Sequence, residues 1–162
     1  MSAAVPPASS PDVGHLRCVR RAVGGFAWEG VDVLAYKDTG SAPFAGVKRQ
    51  VLFDGAGRAS ELRYFEVAPG GHSTLERHHH AHAVIVLRGR GRCLVGDSVH
   101  AIAALDLVDV PGWTWHQFRA DAGEALGFLC MVDSARDTSV LPTEAELVAL
   151  RRDPAVRDFL RV

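Results

Sequence analysis

Short runs of strand-forming residues, separated by turn residues, dominate this chain and limit the folds that it can adopt. Clusters of Gly, Pro or Asp lie between runs rich in Val, Leu, Ile and Phe. Gly96-Asp97 separates two runs as a tight hairpin turn would, because Gly tolerates positive φ. Nine such runs predict an all-β sandwich or barrel. The predicted strands are residues 31–36, 47–53, 60–67, 83–87, 93–95, 99–102, 107–110, 117–119 and 126–132.

The C-terminal segment has a different pattern, which predicts a helix. Thr143 is followed three residues later by Glu146, a spacing typical of a capping box. Asp153-Pro154 predicts the end of this helix and the start of a second short turn. We expect the segment to pack on the outside of a sheet through Val156, Phe159 and Leu160.

Histidine is concentrated in one segment of the chain. Five of the eight histidines lie within residues 72–82, and His116 lies further along. Alternate residues of a strand face the same side, so Glu76 and His78 would lie side by side, and a turn would return His82 to the same interior. Imidazole is the commonest metal ligand in proteins. This spacing therefore predicts a metal site that His116 completes from a distant segment.

Two further histidines lie in the presumed turn between the predicted ligands. His79 has the wrong parity to face the same interior and is expected to be exposed to solvent. His80 shares the parity of His78, so it is the alternative fourth ligand if Glu76 does not bind the ion.

Length and composition predict one domain that acts on a small molecule. A chain of 162 residues with 48% hydrophobic content can bury one sizeable core. A net charge of −1 gives no basic surface for nucleic acid or an anionic membrane. No apolar run approaches the roughly 18 residues of a membrane span, so we expect a cytoplasmic protein. We expect a disordered tail over residues 1–12, a single barrel over 13–140 and a helical segment over 141–162.

The three cysteines lack the spacing of a redox pair or a disulfide framework. Cys18, Cys93 and Cys130 cannot all pair within one chain, and none belongs to a C-x-x-C motif. Free cysteine is among the most buried residue types. We therefore predict that Cys93 and Cys130 are small core residues.

The histidine-rich segment resembles the first motif of the cupin superfamily. That motif consists of Gly, five residues, His-x-His, three or four residues, Glu, six residues and Gly. With Gly89 as the final glycine, His82 occupies the position usually held by Glu, His78 the second His position and Glu76 the first His position. The ligand types are thus retained, with Glu and one His exchanged.

A second segment resembles the other cupin motif, which consists of Gly, five residues, Pro-x-Gly, two residues, His, three residues and Asn. Pro111 and His116 have the required separation. Leu105, Trp113 and Ala120 replace the first Gly, the second Gly and the Asn. These replacements remove no metal-competent side chain.

The resemblance implies a jelly-roll barrel, or double-stranded β-helix, with one divalent metal inside. The implied ligands are His78, His82, His116 and Glu76, and the ion would be Mn, Fe, Ni, Co or Zn. Because oxygen-dependent cupins use three nitrogens and one oxygen, a dioxygenase-like oxidoreductase acting on a small substrate is the first hypothesis. In that reaction Glu76 would tune charge and carry a proton.

The same resemblance leaves other functions open, since one fold hosts many chemistries. A non-redox isomerase or lyase would use the ion to polarise a carbonyl, and a non-catalytic cupin would only bind a metal or small molecule. The family often pairs its N-terminal segment with a second subunit, so the resemblance implies a homodimer. Candidate substrate contacts are Tyr64 and Arg63, on a strand expected to border the barrel mouth, and Trp115.

Overall fold

The computed structural model describes residues 19–36, 43–55 and 57–162. The chain divides into two units, Met1–Gly30 and Val31–Val162. In the first unit, β1 (Ala22–Gly24) and β2 (Ala27–Trp28) form a small antiparallel hairpin. The tail predicted for residues 1–12 lies outside the described residues.

The second unit is built from short strands, and each of the nine predicted runs overlaps one of them. Gly96-Asp97 forms the predicted hairpin turn, with φ of 68° at Gly96. The strands are β3 (Leu34–Ala35), β4 (Ala45–Phe53), β5 (Ser60–His72), β6 (His82–Arg88), β7 (Arg90–Val95), β8 (Ser98–Ala103), β9 (Leu107–Val110), β10 (His116–Ala120) and β11 (Leu126–Asp133).

These strands form one curled antiparallel sheet whose pairing jumps across the sequence. β5 pairs with β4, β10 and β11. β11 also pairs with β6, which pairs with β9, and β10 also pairs with β7, which pairs with β8. Such non-consecutive antiparallel pairing is typical of a jelly-roll, which confirms the predicted fold class.

β5 is longer than the sequence pattern predicts. The turn-forming residues 69–71 predict an end at Val67, yet the strand continues to His72, which pairs with Ala45 of β4. The β4–β5 register shifts between the Val47–Val67 and Ala45–His72 pairs. Pro69 and the two glycines fit within β5 because the pairing is irregular here. A strand pair with a register shift does not need a hydrogen bond from every backbone N–H.

The inward faces of the strands form the main apolar core. Val67, Val86 and Leu126 are fully buried there, together with both described cysteines. Burial raises the pKa of Cys93 to about 11 and that of Cys130 to about 12. The prediction that these cysteines are small core residues is confirmed, and Cys18 lies outside the described residues.

The C-terminal segment contains two short helices, α1 (Glu144–Leu150) and α2 (Pro154–Phe159). The predicted capping box is present, because Thr143 and Glu146 each bond the backbone N–H of the other. The carboxylate of Asp153 accepts hydrogen bonds from the first backbone N–H groups of α2. Among the described residues, no helix is long and apolar enough to cross a membrane.

α2 packs on the outer face of the sheet, as predicted. Leu94 follows the core residue Cys93 in β7 and therefore points to the opposite face. Gln117 of β10 holds the end of the chain there, because its Nε2 donates to the carbonyl of Arg161 at 2.7 Å and its Oε1 accepts from the same residue's N–H at 3.0 Å. The second apolar cluster consists of Leu75, Leu94, Val156, Phe159 and Leu160.

The positions that the cupin motifs assign to glycine keep a left-handed backbone even where the residue differs. Gly70 and Gly89 have φ of 71° and 74°, and the replacements Leu105 and Trp113 have φ of 77° and 62°. Glycine is required at position 89, where a Cβ would lie 1.9 Å from the carbonyl oxygen of Ala125. Leu105 and Trp113 therefore adopt a conformation that costs a non-glycine residue about 1–2 kcal/mol.

Replacing Leu105 by glycine is expected to stabilise the protein. Leu105 is 80% exposed, so little packing is lost. Relief of the left-handed strain outweighs the greater backbone entropy of glycine, which predicts a gain of about 0.5–1 kcal/mol in the free energy of unfolding in urea. The control is Leu107→Gly, at an equally exposed leucine in β9, which should lower this free energy. A less stable Leu105→Gly protein would contradict the interpretation.

Candidate metal centre

Three predicted ligands from separate segments are brought together within the second unit. His78 lies between β5 and β6, His82 begins β6, and His116 begins β10. Their candidate ligand atoms all lie within 4.8 Å of one another. His78 and His116 are each only 3% exposed, and His82 is partly buried. We call these residues the three-histidine group.

Hydrogen bonds to backbone carbonyls set the protonation of two rings. Nδ1 of His78 lies 2.8 Å from the carbonyl oxygen of His80, and Nδ1 of His116 lies 2.9 Å from that of Thr114. A carbonyl oxygen only accepts, so each Nδ1 carries the proton and donates it. In the neutral form of each ring, Nε2 then keeps the lone pair that a metal ligand requires.

The spacing and charge of the rings fit a divalent metal. Nε2 of His82 lies 2.9 Å from Nε2 of His78. Two nitrogens that are each about 2.1 Å from one ion and bind it at a right angle are about 3.0 Å apart. Burial, followed by the influence of His116, lowers the pKa of His78 to about 4 and that of His82 to about 2. Both rings are therefore neutral at pH 7, with lone pairs available to an ion.

Glu76 lies beside the three-histidine group, although among the described residues the 4.8 Å grouping does not include it. Its backbone N–H and carbonyl exchange hydrogen bonds with His116 at 3.2 and 3.0 Å. Its Oε1 accepts a hydrogen bond from the hydroxyl of Tyr36 at 3.2 Å. Metal binding by Glu76 stays a prediction.

Tyr36 is a site residue that the sequence did not indicate. Burial, followed by the charge of Glu76, raises its pKa, so the hydroxyl keeps its proton at neutral pH and acts as a donor. Tyr36 ends a predicted strand run, but no motif spacing connects it to residues 40 positions away.

A cavity of about 40 Å³ borders the site. Phe128 stacks on Phe65 and Phe118, with ring centroids 5.5 and 4.7 Å away, so much of the lining is apolar. An apolar lining of this kind limits the access of water to the site. The lining consists of Tyr36, Val47, Phe65, Ser73, Glu76, His82, His116, Phe118, Phe128 and Cys130.

The two turn histidines lie at the edge of this site. His79 is exposed, as predicted, and stacks on Trp113 with centroids 4.3 Å apart. His80 stacks on His78, and the Nδ1 of His80 lies 2.7 Å from Oδ1 of Asp137. His78, His80 and Asp137 form a second group that could hold an ion. Because the Asp137 carboxylate already accepts the backbone N–H groups of His79 and His80, we favour the three-histidine group.

The three residues predicted to contact substrate lie in different surroundings. Among the described residues that line the cavity, none is Arg63, Tyr64 or Trp115. Arg63 makes an ion pair with Glu61 at 2.6 Å, and the hydroxyl of Tyr64 donates to Glu66 at 3.1 Å. Trp115 packs against the second apolar cluster on the outer face of the sheet. Their contact with substrate stays a prediction.

The fold and the three-histidine group define a small single-domain jelly-roll barrel with histidines directed inward. The sequence profile described as Cupin domain matches residues 63–132. The chain belongs to the cupin family, and the relatives described below support this assignment over most of its length.

The chain is similar to proteins from three organisms. It is 65% identical over 135 residues to 1-methylthio-D-xylulose 5-phosphate methylsulfurylase of Rhodospirillum rubrum. This match covers 83% of the chain and 86% of that protein. A cupin-2 conserved barrel protein from Rhodopseudomonas palustris is 51% identical in sequence, and its crystal structure matches this one with a TM-score of 0.84. The match covers 89% of this chain and 99% of that chain. A cupin-2 domain from Rhodospirillum rubrum is 62% identical, with a TM-score of 0.79 and coverage of 88% and 96%. A cupin-2 protein from Halorhodospira halophila is 39% identical, with a TM-score of 0.71 and coverage of 83% and 98%.

Proposed function

We propose that this cupin is a metal-dependent enzyme that removes the methylthio group from a 1-methylthio-pentulose 5-phosphate. The observation that carries the proposal is the 65% identity, over 83% of the chain, to the methylsulfurylase of Rhodospirillum rubrum. The three-histidine group supports it, because its rings could hold an ion beside a mainly apolar cavity.

The three-histidine group would hold one divalent transition metal, with Mn, Fe, Ni, Co and Zn as the candidates. We keep Glu76 as the fourth ligand or as a proton carrier beside the ion. When bound, such an ion supplies Lewis-acid polarisation of a substrate carbonyl.

The proposed reaction follows from the position of the methylthio group next to a ketone. The C1–S bond breaks and its electron pair stays on C1, where the neighbouring C2 carbonyl delocalises it as an enolate. The thiolate of a small-molecule thiol takes the methylthio sulfur and forms an S–S bond. The thiol's proton ends on C1, so C1 is reduced by two electrons. The methylthio sulfur and the thiol sulfur are each oxidised by one electron as the S–S bond forms, and dioxygen is not required.

Residues of this chain would place the proton and keep water away. The hydroxyl of Tyr36 keeps its proton and is oriented by Glu76, so this pair can exchange a proton with substrate in the cavity. The phenylalanine walls limit access of water to the enolate. Cys130 is unsuited to be the thiol acceptor, because burial raises its pKa to about 12 and keeps its sulfur protonated.

The test is turnover of 1-methylthio-D-xylulose 5-phosphate by the metal-loaded protein, followed by proton NMR of the S-methyl and new C1-methyl signals. We expect turnover under anaerobic conditions that depends on an added thiol such as cysteine. Tyr36→Phe should lower kcat by about 10²-fold or more with metal content unchanged. Oxygen uptake in place of thiol-dependent turnover would favour the dioxygenase, which stays a prediction together with the homodimer and the cytoplasmic location.

A further inference from the structure

Two arginines contact the carboxylate of Glu61, and the charge of that carboxylate also acts on a third arginine. Arg49 lies on β4, Arg63 on β5 and Arg136 in the segment after β11. Oε2 of Glu61 accepts hydrogen bonds from Nε and Nη2 of Arg63 at 2.8 and 2.6 Å, and Oε1 lies 2.9 Å from Nη1 of Arg136. We call Arg49, Arg63 and Arg136 the arginine cluster.

Strand register links the arginine cluster to the metal centre. Arg63 pairs directly with Cys130, whose Sγ lies 3.1 Å from Nδ1 of His82. Arg49 pairs directly with Phe65, which lines the cavity. Directly paired residues of antiparallel strands share a face, so both arginines lie on the face of the cavity-lining residues. At about 4.8 Å between strands, the Arg63 position lies one strand spacing from Cys130. The Arg49 position lies two strand spacings across and two residues along the strand, level with Phe128.

The arginine cluster carries more positive charge than its bonded carboxylate neutralises. Three guanidinium groups (+3) and the Glu61 carboxylate (−1) leave a formal charge of +2 on these four side chains. The Nε of Arg49 is buried without a hydrogen-bond partner. Burial, followed by the charge of Arg63, lowers the pKa of Arg49. A bound anion would satisfy that donor and reduce the repulsion between guanidinium groups.

We propose that the arginine cluster binds the phosphate group of the substrate, an inference that rests on the proposed function. A phosphate monoester carries nearly two negative charges at neutral pH, which matches the surplus charge. Guanidinium forks bind phosphate oxygens in pairs, and this makes arginine suited to phosphate recognition.

The shape of the substrate agrees with this placement. In a pentulose 5-phosphate, three carbons separate the C2 carbonyl from the phosphate ester, a span comparable to one or two strand spacings. The carbonyl would lie at the three-histidine group while the phosphate contacts Arg49 and Arg63. The side chain of Arg63 is 13% exposed and that of Arg136 is 25% exposed, so both are mostly buried but still reach solvent.

The test measures binding by calorimetry of the metal-loaded protein with D-xylulose 5-phosphate and with D-xylulose. Neither sugar carries a methylthio group, so neither can be turned over during the binding measurement. The phosphorylated sugar is expected to bind at least about 100-fold more tightly. Arg49→Gln and Arg63→Gln should each weaken its binding by about 10- to 100-fold and leave D-xylulose binding unchanged. Equal affinity of the unmodified protein for the two sugars would overturn the proposal without any variant.

The control is Arg90→Gln, because the Arg90 side chain is 75% exposed on β7 and its removal should change neither affinity. Metal content and circular dichroism establish that each variant is folded and loaded. A phosphate preference that depends on Arg49 and Arg63, without turnover of the methylthio sugar, would support the phosphate site and contradict the proposed reaction. Undiminished binding and turnover by both glutamine variants would contradict the phosphate site and leave the reaction standing.

Discussion

The His116→Ala protein is expected to lose its bound transition metal and remain folded. The unmodified protein should contain close to one ion per chain, and the variant less than about a tenth of that, because two imidazoles hold an ion far less tightly than three. The fold should persist because β10 is paired through its backbone with β7 and β5. Elemental analysis of purified protein, with circular dichroism, measures both outcomes.

Three further variants identify which group holds the ion. His78→Ala should also lose the metal, and unchanged metal in both His78→Ala and His116→Ala would rule out the assignment. His79→Ala is the matched control, because this ring is exposed and stacks on Trp113. Asp137→Asn separates the two candidate groups, since Asp137 belongs only to the second. Metal lost from Asp137→Asn and kept by His116→Ala would place the ion at the exposed group.

The Phe159→Ala protein is expected to be strongly destabilised. Phe159 is fully buried in the second apolar cluster between α2 and the outer face of the sheet. Truncating a buried phenylalanine removes apolar burial and leaves a cavity, which predicts a loss of about 3–5 kcal/mol in the free energy of unfolding. Urea unfolding followed by tryptophan fluorescence measures the change.

The control for this prediction is Phe53→Ala, at a phenylalanine that is 52% exposed on β4. Its loss should stay below about 1 kcal/mol. If Phe159→Ala cost no more than Phe53→Ala, the helices would contribute little to the stability of the barrel. At temperatures where it is folded, Phe159→Ala should keep its metal, because α2 packs on the face opposite the cavity.

The strands, the capping box and the buried cysteines could be predicted from the sequence because each depends on residues close together in the chain. Turn residues between apolar runs identify strands wherever these lie in the sheet, and the Thr143–Glu146 pair forms within one helical turn. β5 exceeded its predicted length because Pro69 and Gly70 resemble a turn locally, whereas pairing of His72 with β4 continues the strand.

The Tyr36–Glu76 hydrogen bond and the arginine cluster could not be predicted in this way. Tyr36 precedes Glu76 by 40 positions, and Arg136 follows Glu61 by 75, with no local motif connecting either pair. Arg63 was singled out only as a residue near the barrel mouth. Its place opposite Cys130 depends on the register between β5 and β11, which involves the whole sheet.

The amino-acid sequence by itself determined an all-β chain with imidazoles of the right type and spacing to converge on an ion, because strand alternation and motif spacing are local properties. Only the tertiary structure decided which rings lie within 4.8 Å of one another, which carboxylate accepts a hydrogen bond from Tyr36, and which arginines share a face with the cavity-lining residues. The physical reason is that strand pairing across the curled sheet brings together side chains from distant segments, and no local pattern encodes that pairing.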